Sequence, residues 1–324
     1  MGAQLTTKSP PALSGPLFAL IDINSLCQLS CRYCSAMPFS RRQAPADRLL
    51  EVLSELRRHG LVQIVLSGGE PFMHPEIHRI LECCVERNIL TSVNTNGIYF
   101  AKDGNMHSYL SDLAPWLDRI FLNFSLDSID GKQNNLVRGA TSTAMFGIEN
   151  AIRRGLPARI SSVVSKPTLS GVYDLINYYY PEVKTYSFFP VVETTMTQIN
   201  KGLLLDEADM TQLSEILDFA MNHFPEIKIQ RPQRNVEHAD AGSLAAVMSY
   251  CYCATTKIYI DENLSVYPCT YSKSPRNLMG NLINKSFDSL WKSAQAQRVQ
   301  ERGMQEHLCG KSPFASGLTA RYQN

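Results

Sequence analysis

The chain has 324 residues, of which 44% are hydrophobic and 19% are charged, an ordinary composition for a globular protein. Its 31 lysines and arginines nearly balance its 30 aspartates and glutamates, which argues against nucleic acid or an anionic membrane as a partner. No apolar stretch is long enough to span a bilayer. Residues 1–16 are polar, rich in Pro, Ser and Gly, and unlike a secretory signal, so we expect a disordered lead-in and a cytoplasmic protein.

Strand-like and helix-like segments alternate along the chain. The predicted strands span residues 17–23, 62–66, 90–93, 120–126, 159–164 and 185–191. The predicted helices, with apolar residues at helical spacing, span residues 47–59, 77–87, 110–117, 143–154, 172–180 and 207–222. These segments make about six βα units and predict an α/β fold with a parallel sheet and helices outside it. In such folds, side chains at the carboxyl ends of the strands carry the chemistry.

Cysteines are concentrated at two places in the chain. Three of the nine lie near its start, four lie in its last quarter, and Cys83 and Cys84 lie between these groups. An odd number of cysteines in a protein expected to be cytoplasmic argues against a disulfide framework. Cys83 and Cys84 fall in an apolar helix pattern, where small buried side chains are the simpler interpretation. The two outer groups therefore predict two metal sites.

The first group follows the first predicted strand as Cys27-Gln-Leu-Ser-Cys31-Arg-Tyr-Cys34. Thiolates are the soft ligands that iron–sulfur clusters need, and three in one loop can hold a four-iron cluster with one iron left open. A structural zinc site normally has four protein ligands, and the next cysteine lies far along the chain. This loop therefore predicts a cluster rather than zinc.

Three more short motifs follow predicted strands. They are Ser67-Gly68-Gly69-Glu70-Pro71, Asn94-Thr95-Asn96-Gly97 and Ser125-Leu126-Asp127-Ser128. Glycines allow a close backbone approach and a carboxylate clamps a cation, whereas an isolated Asn-Gly is as readily a simple turn. We expect the three motifs to lie beside the cysteine loop, and Arg138-Gly139 follows the last of them in the chain.

The cysteine spacing and the Gly-Gly-Glu-Pro turn resemble those of the radical S-adenosylmethionine (SAM) superfamily. The resemblance implies a partial (β/α)6 TIM barrel over residues 17–227 and a [4Fe–4S] cluster whose open iron chelates SAM. One electron then cleaves SAM to a 5′-deoxyadenosyl radical, which abstracts hydrogen from a substrate. The implied cluster ligands are Cys27, Cys31 and Cys34. The implied SAM-binding residues are Tyr33 near the adenine, Gly68, Gly69 and Glu70 at the ammonium, and Asn94, Asn96, Ser125 and Asp127 at the remaining strand ends. Among these, Ser125 would contact the SAM ribose or carboxylate, and Arg138, which follows in the chain, would contact the SAM carboxylate.

A second region, residues 228–324, has a different sequence pattern. A β-hairpin is predicted from strands at 257–260 and 264–267 around a turn at 261–263. Cysteines 251, 253 and 269 lie at its open end, and Cys309 follows a predicted helix near residues 286–302. This pattern resembles a SPASM or twitch domain, which binds auxiliary [4Fe–4S] clusters.

Two features depart from the full SPASM pattern. The hairpin turn, which usually contains a Gly, has Asn263-Leu264, and only Cys309 follows the helix instead of a dense cysteine cluster. The region therefore resembles the shorter twitch type with one auxiliary cluster. Its ligands would be Cys251, Cys253, Cys269 and Cys309, or three of these with an open iron, as in the molybdenum-cofactor enzyme MoaA.

The resemblance favours an oxidoreductase or bond-forming enzyme that modifies a peptide or a natural-product precursor, with an electron donor such as flavodoxin or ferredoxin. Because little chain precedes the expected barrel, a small-molecule substrate stays a close alternative. A MoaA-like cyclase is less favoured, since the chain lacks that family's Gly-Gly tail, and a non-enzymatic iron–sulfur protein would not need the SAM-site motifs. The residues expected to line the substrate space are Phe188, Phe189, Glu193 and Tyr271.

Overall fold

The computed structural model describes residues 13–34, 41–102, 117–192, 200–231 and 253–305, and elements are numbered over these residues. The strands are β1 (Phe18–Asn24), β2 (Gln63–Gly68), β3 (Leu90–Thr95), β4 (Ile120–Ser125), β5 (Ala158–Val164), β6 (Thr185–Pro190), β7 (Lys228–Gln230), β8 (Lys257–Ile260), β9 (Ser265–Tyr267) and β10 (Gly280–Asn281). The helices are α1 (Ala46–Arg58), α2 (Ile77–Glu86), α3 (Gly131–Val137), α4 (Thr141–Arg153), α5 (Val172–Tyr179), α6 (Glu207–His223), α7 (Phe287–Trp291) and α8 (Ala294–Gln305). None of the helices described here has both the length and the apolarity that crossing a bilayer requires.

The strands form one ten-stranded sheet in the order β10-β9-β8-β1-β2-β3-β4-β5-β6-β7. From β1 to β7 the strands follow chain order, and each pairs in parallel with the next. In the described residues, α-helices connect these strands everywhere except between β3 and β4, where residues 103–116 lie outside the described part, because the chain must cross back before it starts the next parallel strand. The predicted α/β fold with a parallel core is confirmed, and the sequential order is that of an open, partial TIM barrel.

Side chains alternate between two environments along the parallel strands. On one face, Ala19, Ile21 and Ile23 of β1 have no exposed surface and belong to the same apolar core as Leu49 and Leu53 of α1. The opposite face, here called the inner face, is partly exposed and carries both apolar and polar side chains. Its polar residues include Asp22, Ser67, Asn94, Asn123 and Arg159. A closed TIM barrel fills its interior with bulky branched side chains, whereas this partly exposed inner face lines a chamber that water can enter.

The C-terminal hairpin extends the barrel sheet. Strand β8 pairs in parallel with β1, from Phe18 opposite Lys257 to Ile21 opposite Ile260, and β9 pairs with β8 in antiparallel orientation. On the far edge, β7 pairs with β6, so Lys228–Gln230 is part of the same sheet. The predicted hairpin is confirmed, while the expected domain boundary at residue 228 stays a prediction.

The hairpin turn has a left-handed backbone residue without using glycine. Leu264 has φ 57° and is fully buried. Asp261 Oδ1 accepts hydrogen bonds from the backbone N–H groups of Asn263 and Ser265, at 3.0 and 2.9 Å, which fixes the turn. A left-handed non-glycine residue costs roughly 1–2 kcal/mol, and burying a leucine contributes about 1.5–3 kcal/mol, so the packed side chain offsets the backbone strain.

Several elements differ from those predicted. Helix α3 was not predicted, because its Gly-Lys-Gln-Asn-Asn-Leu-Val sequence has little apolar periodicity, although Asp130 caps it by accepting from Lys132 N. The single helix expected near residues 286–302 is two helices, α7 and α8. Of the predicted helix at 110–117, all but residue 117 lies outside the described residues. At the end of the expected disordered lead-in, Ser14 Oγ donates to the His59 carbonyl at 3.0 Å, so the chain packs there on the end of α1; residues 1–12 lie outside the described part.

Candidate functional site

The cysteine loop begins directly after β1 and is tied to the end of α3. Arg32 N donates to the Val137 carbonyl at 2.8 Å, and the Cys31 thiol lies 3.9 Å from the Arg138 carbonyl oxygen. Within the loop, Cys34 N donates to the Cys31 carbonyl at 3.0 Å. The loop is therefore a folded segment that keeps three thiols at the carboxyl end of the sheet, as the sequence predicted.

The Cys27 sulfur has N–H groups directed at it. Leu29 N lies 3.4 Å and Asn96 Nδ2 lies 3.7 Å from Cys27 Sγ. Burial raises the pKa of the Cys27 and Cys31 thiols, and these N–H groups oppose the rise at Cys27. Soft sulfur donors with N–H neighbours fit an iron–sulfur cluster, whose potential depends on hydrogen bonds to sulfur. In the described residues, however, no group of three or more Cys, His, Asp or Glu side chains is gathered around a common metal position.

Gly68 and Gly69 pack so closely against the chain that leads into the cysteine loop that neither position has room for a side chain. A Cβ on Gly68, which has φ 121°, would lie 2.0 Å from the Asn24 carbonyl oxygen. A Cβ on Gly69 would lie 2.0 Å from the Leu26 carbonyl oxygen. Gly69 N donates to Asn24 O at 2.8 Å, and Glu70 N donates to Leu26 O at 2.6 Å. The close backbone approach expected of these glycines is therefore present, and it is made to the cysteine loop itself.

Glu70 is almost fully buried and connects β2 to the end of β3. Its carboxylate accepts from Asn96 N at 2.7 Å, from Thr95 Oγ1 at 2.8 Å and from Phe72 N at 3.2 Å. Burial raises the pKa of Glu70 to about 7, against the lowering effect of these donors. Because Asn96 also faces Cys27, the carboxylate supports the Cys27 environment. Its expected contact with the SAM ammonium stays a prediction.

Tyr33, Asp127 and Arg138 form a compact group, called here the Tyr33 cluster. The Tyr33 hydroxyl donates to Asp127 Oδ2, and Arg138 Nε lies 3.1 Å from the Tyr33 oxygen and 3.3 Å from Asp127 Oδ2. Asp127 has no exposed surface, and its other carboxylate oxygen accepts from Val163 N at 2.9 Å. Burial raises the pKa of the Tyr33 hydroxyl well above its usual value, whereas the neighbouring Tyr33 and Asp127 groups keep Arg138 charged and raise its pKa against burial. The cluster joins the cysteine loop, through Tyr33, to the chain that follows β4 at Asp127 and to the end of α3 at Arg138.

The remaining predicted SAM residues lie on the inner face. Asn94 Oδ1 accepts from Asn123 Nδ2 at 3.0 Å, and Ser125 is partly exposed at the end of β4. Asn24 was not predicted from the sequence, yet its Nδ2 donates to the Glu70 carbonyl at 3.0 Å and its Oδ1 accepts from Leu26 N at 3.0 Å. An asparagine as the last residue of an apolar strand was the available signal.

Of the residues expected to line the substrate space, Phe189 is on the partly exposed inner face. Phe188 was wrongly placed: it has no exposed surface and packs in the core, because neighbouring strand residues point to opposite faces. Tyr271 is 47% exposed, and Glu193 lies outside the described residues. Cys83 and Cys84 are buried in α2, as predicted.

Two of the four cysteines predicted for the auxiliary site are described. Cys253 precedes β8, and its backbone forms an isolated β-bridge with Lys257. Cys269 follows β9 and has 6% of its surface exposed. Because β8 and β9 are antiparallel, with Tyr259 opposite Tyr267, both cysteines lie at the open end of the hairpin. Cys269 N donates to Ser272 Oγ at 3.0 Å, which fixes the backbone there. Cys251 and Cys309 lie outside the described residues.

Two known families match this chain. Residues 21–171 match the family described as the radical SAM superfamily, and residues 251–311 match SPASM, described as an iron–sulfur cluster-binding domain. The first match contains the cysteine loop and the Tyr33 cluster. The second contains the hairpin and all four cysteines predicted for the auxiliary site.

Individual relatives match different shares of the chain. Mycofactocin maturase MftC of Mycobacterium ulcerans (strain Agy99) is 22% identical over 312 residues, 92% of this chain and 80% of the relative. A GTP 3′,8-cyclase of Rhodococcus opacus (strain B4) is 30% identical over 183 residues, 52% of this chain and 49% of the relative. A PqqA peptide cyclase of Methylobacterium nodulans is 28% identical over 171 residues, 52% of this chain and 44% of the relative. The chain therefore spans most of MftC and about half of the other two.

The fold also matches solved structures. Streptococcus suis SuiB bound to its precursor peptide SuiA has a TM-score of 0.73 at 20% identity, over 89% of this chain and 67% of that chain. Likeness at this level of identity establishes the fold alone. The two family matches show that this chain contains a radical SAM domain, over residues 21–171, and a SPASM iron–sulfur cluster-binding domain, over residues 251–311.

Proposed function

We propose that this protein is a radical SAM enzyme that modifies a peptide substrate with the help of an auxiliary iron–sulfur cluster. The match to MftC carries the proposal, because it runs through both family regions and covers 92% of this chain. MftC is named a maturase, and the names of the PqqA peptide cyclase and of the SuiB complex with SuiA associate this architecture with peptides.

In this proposal, Cys27, Cys31 and Cys34 bind the [4Fe–4S] cluster as thiolates. Cluster and SAM, when bound, supply a 5′-deoxyadenosyl radical that abstracts a hydrogen atom from the substrate. The N–H groups of Leu29 and Asn96 stabilise the Cys27 thiolate, and Glu70 holds the Asn96 backbone in place. The loop needs this support because burial alone favours the neutral thiol.

SAM would bind where the cysteine loop meets the strand ends. The Tyr33 cluster fixes the loop against β4 and α3, and a charge-assisted hydrogen bond of this kind contributes roughly 1.5–3 kcal/mol. The residues proposed to contact SAM are Tyr33, Gly68, Gly69, Glu70, Asn94, Asn96, Ser125, Asp127 and Arg138. Glu70 and Asp127 also accept hydrogen bonds from protein N–H groups, so besides contacting SAM these two carboxylates would position the strand ends around it.

The auxiliary cluster would be held by Cys253 and Cys269 together with Cys251 and Cys309. Its hairpin pairs with β1, the strand that leads into the cysteine loop, so one hydrogen-bonded sheet supports both cysteine groups. A rigid common support suits electron transfer, because the separation of two redox groups controls its rate. An electron donor such as flavodoxin or ferredoxin and a cytoplasmic location complete the proposal.

A nucleotide cyclase is the second candidate. It is favoured by the 30% identity to the GTP 3′,8-cyclase of Rhodococcus opacus. That similarity covers 52% of this chain, whereas the similarity to MftC covers 92%. The wider match favours the peptide substrate.

The proposal is tested with anaerobically reconstituted protein, SAM, a reductant and peptides encoded beside its gene. The expected result is a mass change in one peptide that rises in step with 5′-deoxyadenosine. GTP is the matched control substrate. Conversion of GTP, with every peptide left unchanged, would establish the nucleotide candidate and refute the peptide proposal.

A further inference from the structure

Arg159 lies in the row of polar side chains that crosses the inner face. It is the second residue of β5 and is in register with Asn123 of β4, which in turn is in register with Asn94 of β3. Asn123 Nδ2 donates to Asn94 Oδ1 at 3.0 Å, so the two amides are paired with each other. Arg159 is the cation at the end of this neutral pair.

The guanidinium group of Arg159 stacks on an aromatic ring. Its central carbon lies 3.7 Å from the centroid of the Phe121 ring, which projects from the same face of β4. Stacking covers one flat side of the group and leaves the N–H donors at its edge available. Burial lowers the pKa of Arg159.

Arg159 differs in this respect from comparable arginines. Its side chain makes no hydrogen bond and no ion pair with any residue that the structure describes, although it is only partly exposed. Each of the other partly exposed arginines in the described residues has an acceptor: Arg48, Arg57, Arg87, Arg119, Arg138, Arg231 and Arg302. A guanidinium has five N–H donors, and leaving them unpaired in a partly buried position is unfavourable.

Asp22, an acidic residue that is also on the inner face, does not pair with Arg159 in the described structure. Asp22 lies on the inner face of β1, with β2, β3 and β4 between it and β5, and it already accepts from the Tyr259 hydroxyl at 2.6 Å. Beyond Arg159, the next register row contains Ser125, Ser161, Ser187 and Gln230. This row is uncharged, so it offers a peptide neutral hydrogen-bonding groups and leaves the cation to an anion from outside.

We infer that Arg159 binds a carboxylate of the substrate inside the chamber lined by the inner face. The inference rests on the proposed function and narrows it to an acidic peptide. A planar guanidinium held flat against Phe121 presents two parallel N–H donors, which match the two oxygens of a carboxylate. That carboxylate is either an Asp or Glu side chain or the C-terminus of the peptide.

The test uses reconstituted holoenzyme with SAM to select binders from two random peptide libraries, one with free and one with amidated C-termini. Wild type should enrich Asp and Glu, or free C-termini, and matched Glu-to-Gln or amidated peptides should bind about ten- to a hundredfold more weakly. Arg159→Met should lose this preference, and Arg159→Lys should keep only part of it. Arg58→Met, which removes an exposed cation from α1, should keep all of it.

Iron content and the melting temperature of each variant show whether it is folded. Peptide binding by wild type without any preference for a carboxylate overturns this inference and leaves the peptide proposal standing. A preference that survives in folded Arg159→Met likewise overturns it. Failure of wild type to bind any peptide, with SAM still cleaved, refutes the peptide proposal and the inference together.

Discussion

Replacing Gly69 by alanine should separate the cysteine loop from the second strand end. The new Cβ would lie 2.0 Å from the Leu26 carbonyl oxygen and 2.4 Å from its carbon, and relief requires a separation beyond 3.0 Å. A movement of about 1 Å at this point breaks the bonds from Gly69 N to Asn24 O and from Glu70 N to Leu26 O, because hydrogen bonds weaken steeply with distance. Two lost hydrogen bonds with poorly solvated partners cost about 3 kcal/mol, roughly a hundredfold in the unfolding equilibrium.

Urea unfolding of the apoprotein measures this loss, and iron per chain after anaerobic reconstitution measures its effect on the cysteine loop. Gly202→Ala is the matched control, because a Cβ there has no neighbour within 4 Å and the backbone is not left-handed. We expect Gly202→Ala to be neutral or slightly stabilising. Equal stability and equal iron content in the Gly69 and Gly202 variants would refute the argument that the glycines hold the loop.

Three further substitutions test other contacts. Tyr33→Phe removes the hydroxyl that is shared with Asp127 and Arg138. It should lower the free energy of unfolding in urea by about 1–2 kcal/mol and weaken SAM binding measured by calorimetry. Unchanged SAM binding would show that the Tyr33 cluster is not part of the SAM site. Asp22→Asn should reduce the fall in stability between about pH 4 and pH 7, because burial raises the folded pKa of Asp22 to about 7 and the unfolded carboxyl therefore ionises first as pH rises. The side chain is partly exposed, so the reduction is on the order of 2 kcal/mol, and the part of the fall that comes from Glu70 stays. Urea unfolding across pH should show identical curves for wild type and variant if the pKa of Asp22 is ordinary. Arg48→Met removes the hydrogen bonds from α1 to the Leu282 and Lys285 carbonyls and should speed amide hydrogen exchange in residues 280–305. Unchanged exchange would show that α1 does not stabilise this segment.

The barrel strands were accessible from local pattern. Strand β4, predicted at 120–126, spans Ile120–Ser125, and β6, predicted at 185–191, spans Thr185–Pro190. Both strands are rich in apolar and aromatic residues, which predicts the type of the element. The Ser125–Ser128 motif marks the end of β4, so that end also has a local cause. The same reasoning located the cysteine loop and the strand-end motifs on one edge.

Contacts between segments that are distant in the chain could not be predicted from the local sequence pattern. The two glycines were expected to face a ligand, yet their missing side chains make room for Asn24 and Leu26, more than forty residues earlier in the chain. The parallel pairing of β8 with β1 joins residues 257–260 to residues 18–21. Nothing in either segment specifies this partner, since an apolar strand pairs with any edge that buries it. Helix α3 is too short and polar for periodicity, so its position depends on the Asp130 cap and on the loop packed against its end.

The most direct measurement of the central claim is SAM cleavage by anaerobically reconstituted protein with a strong reductant. Wild type should form 5′-deoxyadenosine and methionine and bind about eight irons, as two four-iron clusters require. The Cys27/Cys31/Cys34→Ala triple variant should form no 5′-deoxyadenosine and retain about four irons, since the hairpin cysteines are untouched. Cleavage by the triple variant, or its retention of the full iron content, would contradict the assignment of this loop as the site of the radical chemistry.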